Sequence, residues 1–281
     1  MINVGIMQGR LVPPFEERFQ TFPADQWRDE FGFAREAGLS CIEWIYEKHH
    51  EDDNPLKTDD GIAELKQLSH DTGVLVRSVC ADYYMTEFLL DDEGRQNTEN
   101  CNHLRELIHQ ASKLSIHYIV LPFVDASSLK SKAARNGVVE LLKDIAPLAK
   151  NAKVELHLET DLEPVIFREI LDQVGHEMVR ANYDIGNSAS LGFDPHEELT
   201  LLAPYLGSVH VKDRELRGST VPLGFGNAHF RICFQMIRQA GFDGHYILQA
   251  ARGENGDEVQ LAIANRHFVE QGVVQNKEGT G

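Results

Sequence analysis

Glu159, Asp184, His210 and Gln249 each close a short run in which apolar and polar residues alternate. In Val154-Glu155-Leu156-His157-Leu158-Glu159, the residues Glu155, His157 and Glu159 share one face, because a strand sends successive side chains to opposite sides. Val179-Arg180-Ala181-Asn182-Tyr183-Asp184 repeats the arrangement, as does Ser208-Val209-His210-Val211-Lys212, and His245-Tyr246-Ile247-Leu248-Gln249 ends the series. Carboxylates gathered in an interior cost on the order of several kcal/mol each unless paired or densely hydrogen-bonded. A divalent cation would satisfy all four ends together. Oxygen donors with one imidazole suit Mn²⁺, Mg²⁺, Co²⁺ or Zn²⁺, and donor type does not choose among them.

The elements that must position these residues follow from periodicity. Strand-like runs fall near 2–7, 40–45, 74–81, 117–122, 153–159, 179–184, 206–212 and 245–250. Helical periodicity fills 25–37, 58–72, 98–114, 131–150, 163–174, 228–240 and 257–270, with a short stretch at 195–203 opened by Asp194-Pro195. Gly38, Gly73 and Gly241 stand where helices should stop. Eight alternating βα units over roughly 250 residues predict a single-domain α/β protein, a closed (β/α)8 barrel. The barrel is expected over 1–272, with 273–281 as a flexible C-terminal tail. An open doubly wound sheet would carry Gly-x-Gly-x-x-Gly after its first strand, and that fingerprint is missing.

The 281 residues, 42% hydrophobic and 25% charged, can bury a large core. No apolar run is long enough to span a bilayer, and the first residues lack a secretory signal, so a cytoplasmic protein without a membrane partner is expected. Cys41, Cys80, Cys101 and Cys233 are widely spaced and read as reduced thiols. A formal charge of −17 would repel a phosphate backbone, which argues against nucleic acid as a partner.

Barrel enzymes work at the carboxyl ends of their strands, where all four residues fall. Leu156-His157-Leu158-Glu159, Asn182-Tyr183-Asp184-Ile185-Gly186-Asn187, Val209-His210-Val211-Lys212-Asp213 and Gly224-Phe225-Gly226 together resemble the xylose-isomerase-like barrel superfamily, the sugar-phosphate isomerase and epimerase group. The resemblance covers essentially the whole chain. It implies one divalent metal ion held by Glu159, Asp184 and His210, with Gln249 as a fourth ligand. It implies a small sugar or sugar phosphate as substrate, and association as a homodimer or homotetramer. In such enzymes the metal holds two oxygens of a hydroxy-ketone or hydroxy-aldehyde, and the C–H between them is deprotonated to an enediolate; Glu159 is the base this implies.

The family's epimerases use two glutamates on opposite faces of the substrate, and here the second position is Gln249. An amide can coordinate through oxygen but cannot shuttle a proton at ordinary pH. Gln249 therefore tilts the expectation towards isomerisation, or towards loss of water as in the inosose and dehydroshikimate dehydratase relatives. Asp82 or Glu43, at other strand ends, could restore a second acid, and Lys212 shares the strand face of His210. Arg10, Glu43, His157, Arg214 and Arg252 complete the expected site as substrate-binding residues. A non-catalytic sugar-binding barrel is a further reading. An abasic-site endonuclease is disfavoured by the acidic surface and by Asn187, which stands where that branch has a histidine.

Structural roles compete at several of these positions. His157 reads first as a hydrogen-bonded core histidine and Trp27 and Trp44 as packing residues, while a helix cap explains Asp82 nearly as well. Gly224-Phe225-Gly226 could cradle a phosphate, although such a pair is commonly a turn. The run Glu47-Lys48-His49-His50-Glu51-Asp52-Asp53 reads as a solvated loop or lid rather than a metal site.

Overall fold

In the computed structural model, which describes residues 2–253 and 256–275, eight parallel strands close into a barrel. They are β1 (Asn3–Met7), β2 (Cys41–Ile45), β3 (Leu75–Cys80), β4 (Tyr118–Phe123), β5 (Glu155–Thr160), β6 (Val179–Asp184), β7 (Leu206–Val211) and β8 (His245–Leu248). Each pairs with its neighbours in sequence, and β1 pairs with β8 to complete the ring. The registers Asp184↔His210 and Pro122↔Glu159 bring the ends of β4 to β7 level at one rim. Every residue of β2 and of β4 is buried, as expected of strands covered by side chains inside and helices outside.

The covering helices are α1 (Asp29–Glu36), α2 (Asp59–Thr72), α3 (Thr98–Lys113), α4 (Lys132–Ala152), α5 (Pro164–Val174), α6 (Ile185–Leu191), α7 (Pro195–Leu202), α8 (Phe230–Gln239) and α9 (Glu258–Gln275). Their starts are built locally: Thr58, Asn97, Ser131 and Asp194 each accept a backbone N–H as N-cap. Gly73 closes α2 at φ 76°, a conformation open to glycine at little cost. Trp44 and Trp27 pack edge to face in the core, ring centroids 5.6 Å apart.

Two elements lay outside the sequence reading. Helix α6 leaves β6 directly, its first turn capped by the Asp184 carboxylate, and a small hairpin pairs Asp213–Arg214 with Thr220–Val221 after β7. Helix α1 is shorter than expected because Gln26 and Trp27 both donate to the Pro23 carbonyl in turns before Asp29. Helix α9 runs to Gln275, with Val273 buried; residues 276–281 of the expected tail lie outside the described residues. All four cysteines are free and buried. Among the described residues, no helix is long and apolar enough to cross a membrane.

Candidate active site

The lumen below the carboxyl rim is polar, and its groups satisfy one another. Ser78 donates to Glu43 Oε2 at 2.7 Å, and Glu43 Oε1 lies 2.7 Å from His210 Nε2. Ser208 donates to Asn182 Oδ1 at 2.7 Å, while Asn182 Nδ2 lies 3.3 Å from Glu159 Oε2 and 3.2 Å from His210 Nδ1. His157 stands between Ser208 and Glu155 and stacks on Tyr118 at 4.2 Å. A buried network of this kind is stable only when nearly every member is paired. Gly207 makes room for it, since a Cβ there would stand 2.6 Å from His157 Nε2.

Above this layer Glu159, Asp184 and His210 converge, each offering a ligand atom within 4.8 Å of the others. His210 Nδ1 faces Glu159 Oε2 at 3.6 Å and Asp184 Oδ2 at 3.8 Å. Asn187 Nδ2 holds Glu159 Oε1 at 2.6 Å, and Asn187 Oδ1 accepts from Arg214 at 2.9 Å. Asp184 divides its oxygens: Oδ1 caps α6 on the Asn187 amide, and Oδ2 lies 2.8 Å from Lys212 Nζ. Gly186 lets that lysine pass, for a Cβ there would stand 2.7 Å from Lys212 Cγ.

The titration behaviour follows from burial and crowding. Burial, reinforced by Asp184, pushes Glu159 up to about 7. Burial also acts to raise Asp184, but Lys212 and His210 outweigh it and hold that carboxyl below its usual range. For His210 burial favours the neutral ring, yet Glu43, Asp184 and Glu159 carry it up to about 10. Glu43, Asp184 and Glu159 thus surround the His210 ring with negative charge.

The cluster fits a divalent ion. Gln249 Oε1 is buried and accepts no hydrogen bond, a condition that costs about 1–3 kcal/mol. A metal on Nδ1 of His210 would replace the proton, while Glu43 keeps the other nitrogen as a donor, the usual support for a ligating imidazole. Gln249 turns its amide nitrogen to Gln20 Oε1 at 3.0 Å, which leaves its oxygen for the ion or for a substrate hydroxyl.

Several residues expected to touch substrate are placed differently. Glu43 and His157 lie in the layer beneath the ligand cluster with their polar atoms engaged. Arg10 donates to the carbonyls of Ala250 and Phe19, and Arg252 to those of Phe19 and Val12, so both hold the β1–α1 loop. Arg214 binds Asn187 and the Gly218 carbonyl. The Gly224 and Gly226 amides, far from cradling a phosphate, surround the buried Asp213 carboxylate at 2.8 and 2.9 Å. Asp82 does face the mouth: Gln20 donates to it at 2.8 Å, and burial raises its pKa. A cleft of about 660 Å³ opens there, lined by Arg18, Gln20, Glu47, Lys48, His49 and Asp82.

Asn187, Asn182, Gln20 and Asp213 were not expected in these roles. Asn182 shares the strand face of Asp184 and was legible to that extent. Gln20 sits in an aperiodic loop, and nothing in its spacing marks it.

A closed (β/α)8 barrel with a carboxylate and imidazole cluster at its carboxyl rim defines a class of enzyme-like barrels rather than a reaction. Within it the chain belongs to the xylose isomerase-like TIM barrel family, whose model matches residues 31–269. Among curated proteins it is 25% identical to L-ribulose-5-phosphate 3-epimerase UlaE of Salmonella heidelberg (strain SL476), over 82% of this chain and 84% of that protein. A solved D-tagatose 3-epimerase-like protein superposes with TM-score 0.75 at 16% identity, covering 100% of both chains. The IOLI protein, solved with a binding zinc atom, gives TM-score 0.71 at 14% identity, covering 98% of each.

Proposed function

We propose that this protein is a metal-dependent epimerase or isomerase of a small sugar or sugar phosphate, removing a proton from the carbon beside a carbonyl with Glu159 as base. The convergence of Glu159, Asp184 and His210 at the rim, with Gln249 Oε1 left unpaired, carries the reading. The curated sugar-phosphate epimerases at about a quarter identity support it. A divalent ion held by those three residues would polarise the substrate's oxygens and so acidify the intervening C–H.

The chain's own residues supply the rest. Glu159 offers a carboxylate at the rim, a group able to take the proton from carbon. Asn187 and Asn182 fix both its oxygens, so its orientation is set before substrate arrives. Lys212, held at Asp184, places a positive charge where an oxyanion would develop. Asp82 supplies a second carboxyl from the end of β3, replacing the proton donor that Gln249 cannot be. A substrate phosphate would be met by Lys212 at the rim or by Arg18 and Lys48, which line the cleft.

Incubation in D₂O with Mn²⁺ and a panel of ketoses and their phosphates tests this. Deuterium should enter next to the carbonyl with the parent protein, and Glu159→Gln should lower that rate by about 10²-fold or more. Exchange at the parental rate in the variant would remove Glu159 as base. The amide at Gln249 also favours a dehydratase, whose enone or dione product would identify it in the same samples.

A further inference from the structure

We propose that Glu16, His49 and His50 form a second divalent-cation site, of the zinc class, that clasps the β1–α1 loop to the β2–α2 loop beside the barrel mouth. The site is separate from the rim cluster and does not depend on the reaction assigned there. Glu16 reaches across from one loop to two consecutive histidines of the other: its Oε2 lies 2.6 Å from His49 Nε2 and its Oε1 3.1 Å from His50 Nε2. All three residues present ligand atoms within 4.8 Å of one another.

Two imidazoles and a carboxylate are a donor set that binds zinc with a position open for water. As plain ion pairs they would contribute little, for the side chains of Glu16 and His49 are 44% and 46% exposed. His50 is already oriented as a ligand: its Nδ1 lies 2.9 Å from Asp53 Oδ2, which points Nε2 at Glu16. The rings stand edge to face with centroids 4.2 Å apart, so both nitrogens converge without stacking. Ligands around one zinc stand roughly 3.3 Å apart given bonds near 2 Å, so the Glu16 to His49 approach must widen by less than about 1 Å. Exposed side chains can do this freely. Glu51 and Asp52 of the β2–α2 loop are engaged by Lys48 and Lys57, so the three ligands and Asp53 carry the attraction for a cation.

The clasp would act on the mouth. The loop that carries Glu16 also carries Gln20, which bonds Asp82 and Gln249, and His49 lines the cleft. An ion joining the two loops would hold the segment that carries Gln20 in that position.

Zinc chloride titrated into the metal-stripped full chain, followed by calorimetry and by hydrogen exchange of residues 13–20, tests the site. The parent should bind one equivalent more than H49N/H50N or E16Q, and zinc should slow exchange of the loop in the parent but not in those two variants. D184N, altered only at the rim, should keep the clasp equivalent, which separates this site from the one used in the proposed reaction. Equal stoichiometry in the parent and H49N/H50N would overturn the proposal. So would an equivalent lost in H49N/H50N but kept in E16Q, because that ion would sit on the histidines and join no loops. Loop exchange indifferent to zinc would likewise overturn it.

Discussion

At the residue scale, the telling feature is how many groups are committed to holding Glu159 and His210 still. Glu43 does so from beneath, 2.7 Å from His210 Nε2 and fully buried. Supporting carboxylates of this kind are worth about 10–100-fold in metal affinity. Glu43→Gln should therefore weaken Mn²⁺ binding by that order while the protein stays folded, as read by Mn²⁺ titration alongside circular dichroism. Parental affinity in the variant would show that the carboxylate does nothing for the ring. Glu43 was legible as a strand-end acid, but strand ends alternate in depth around a barrel, and only the closed ring decides which acid faces substrate and which lies below. The arginines were misplaced for a related reason: a guanidinium near a strand end reads the same whether it meets a phosphate or a loop carbonyl. Here Arg10 and Arg252 hold backbone that would otherwise be unpaired at the mouth.

At the element scale, the connection after β7 shows what a loop motif can hide. Asp213 is buried and accepts from the amides of Gly224, Gly226 and Ala228, the last at 3.0 Å. A Cβ on Gly226 would stand 2.3 Å from Asp213 Oδ1 and 2.6 Å from the Arg214 carbonyl oxygen. Overpacking of this sort costs about 1–3 kcal/mol. Gly226→Ala should lower Tm by roughly several degrees and, by shifting Arg214 away from Asn187, reduce turnover as well. Thermal unfolding and a turnover assay would show it, and a variant that melts with the parent would deny the loop any structural role. The barrel strands were readable because burial on their inner and outer faces imposes pattern. Helix α6 was not, since its seven residues carry no full amphipathic period and its start is set by the Asp184 cap.

At the scale of the whole molecule, two buried carboxyls outside the rim cluster help tie stability to pH. Burial pushes Glu30 up to about 8 against the amides of Gly9 and Leu11, and burial likewise pushes Glu198 up to about 7. Both folded-state values lie above the ordinary carboxylate range, so the folded chain binds more protons than the unfolded chain between them. Their contribution is complete below the ordinary value and is lost as pH rises through 7 and 8. The part of stability held by these two carboxyls should fall from about pH 5 to pH 8, with Glu30 contributing up to about 1.4 kcal/mol per pH unit. Denaturant midpoints across that range should decline in the parent and decline less in Glu30→Gln, which keeps an acceptor but not the titration. An identical slope in the variant would place the pH dependence elsewhere.

Alternation and spacing in the sequence were enough for the barrel, its strand order and the triad Glu159, Asp184 and His210, because period-two burial and eight repeats leave few other ways to close a sheet. Tertiary structure alone decided the rest. It set which polar residues lie at the rim and which beneath it, that Arg10, Arg214 and Arg252 are spent on loops, and that Glu16 meets His49 and His50. These are contacts between residues tens of positions apart, fixed by ring closure and loop paths, and no local period encodes them.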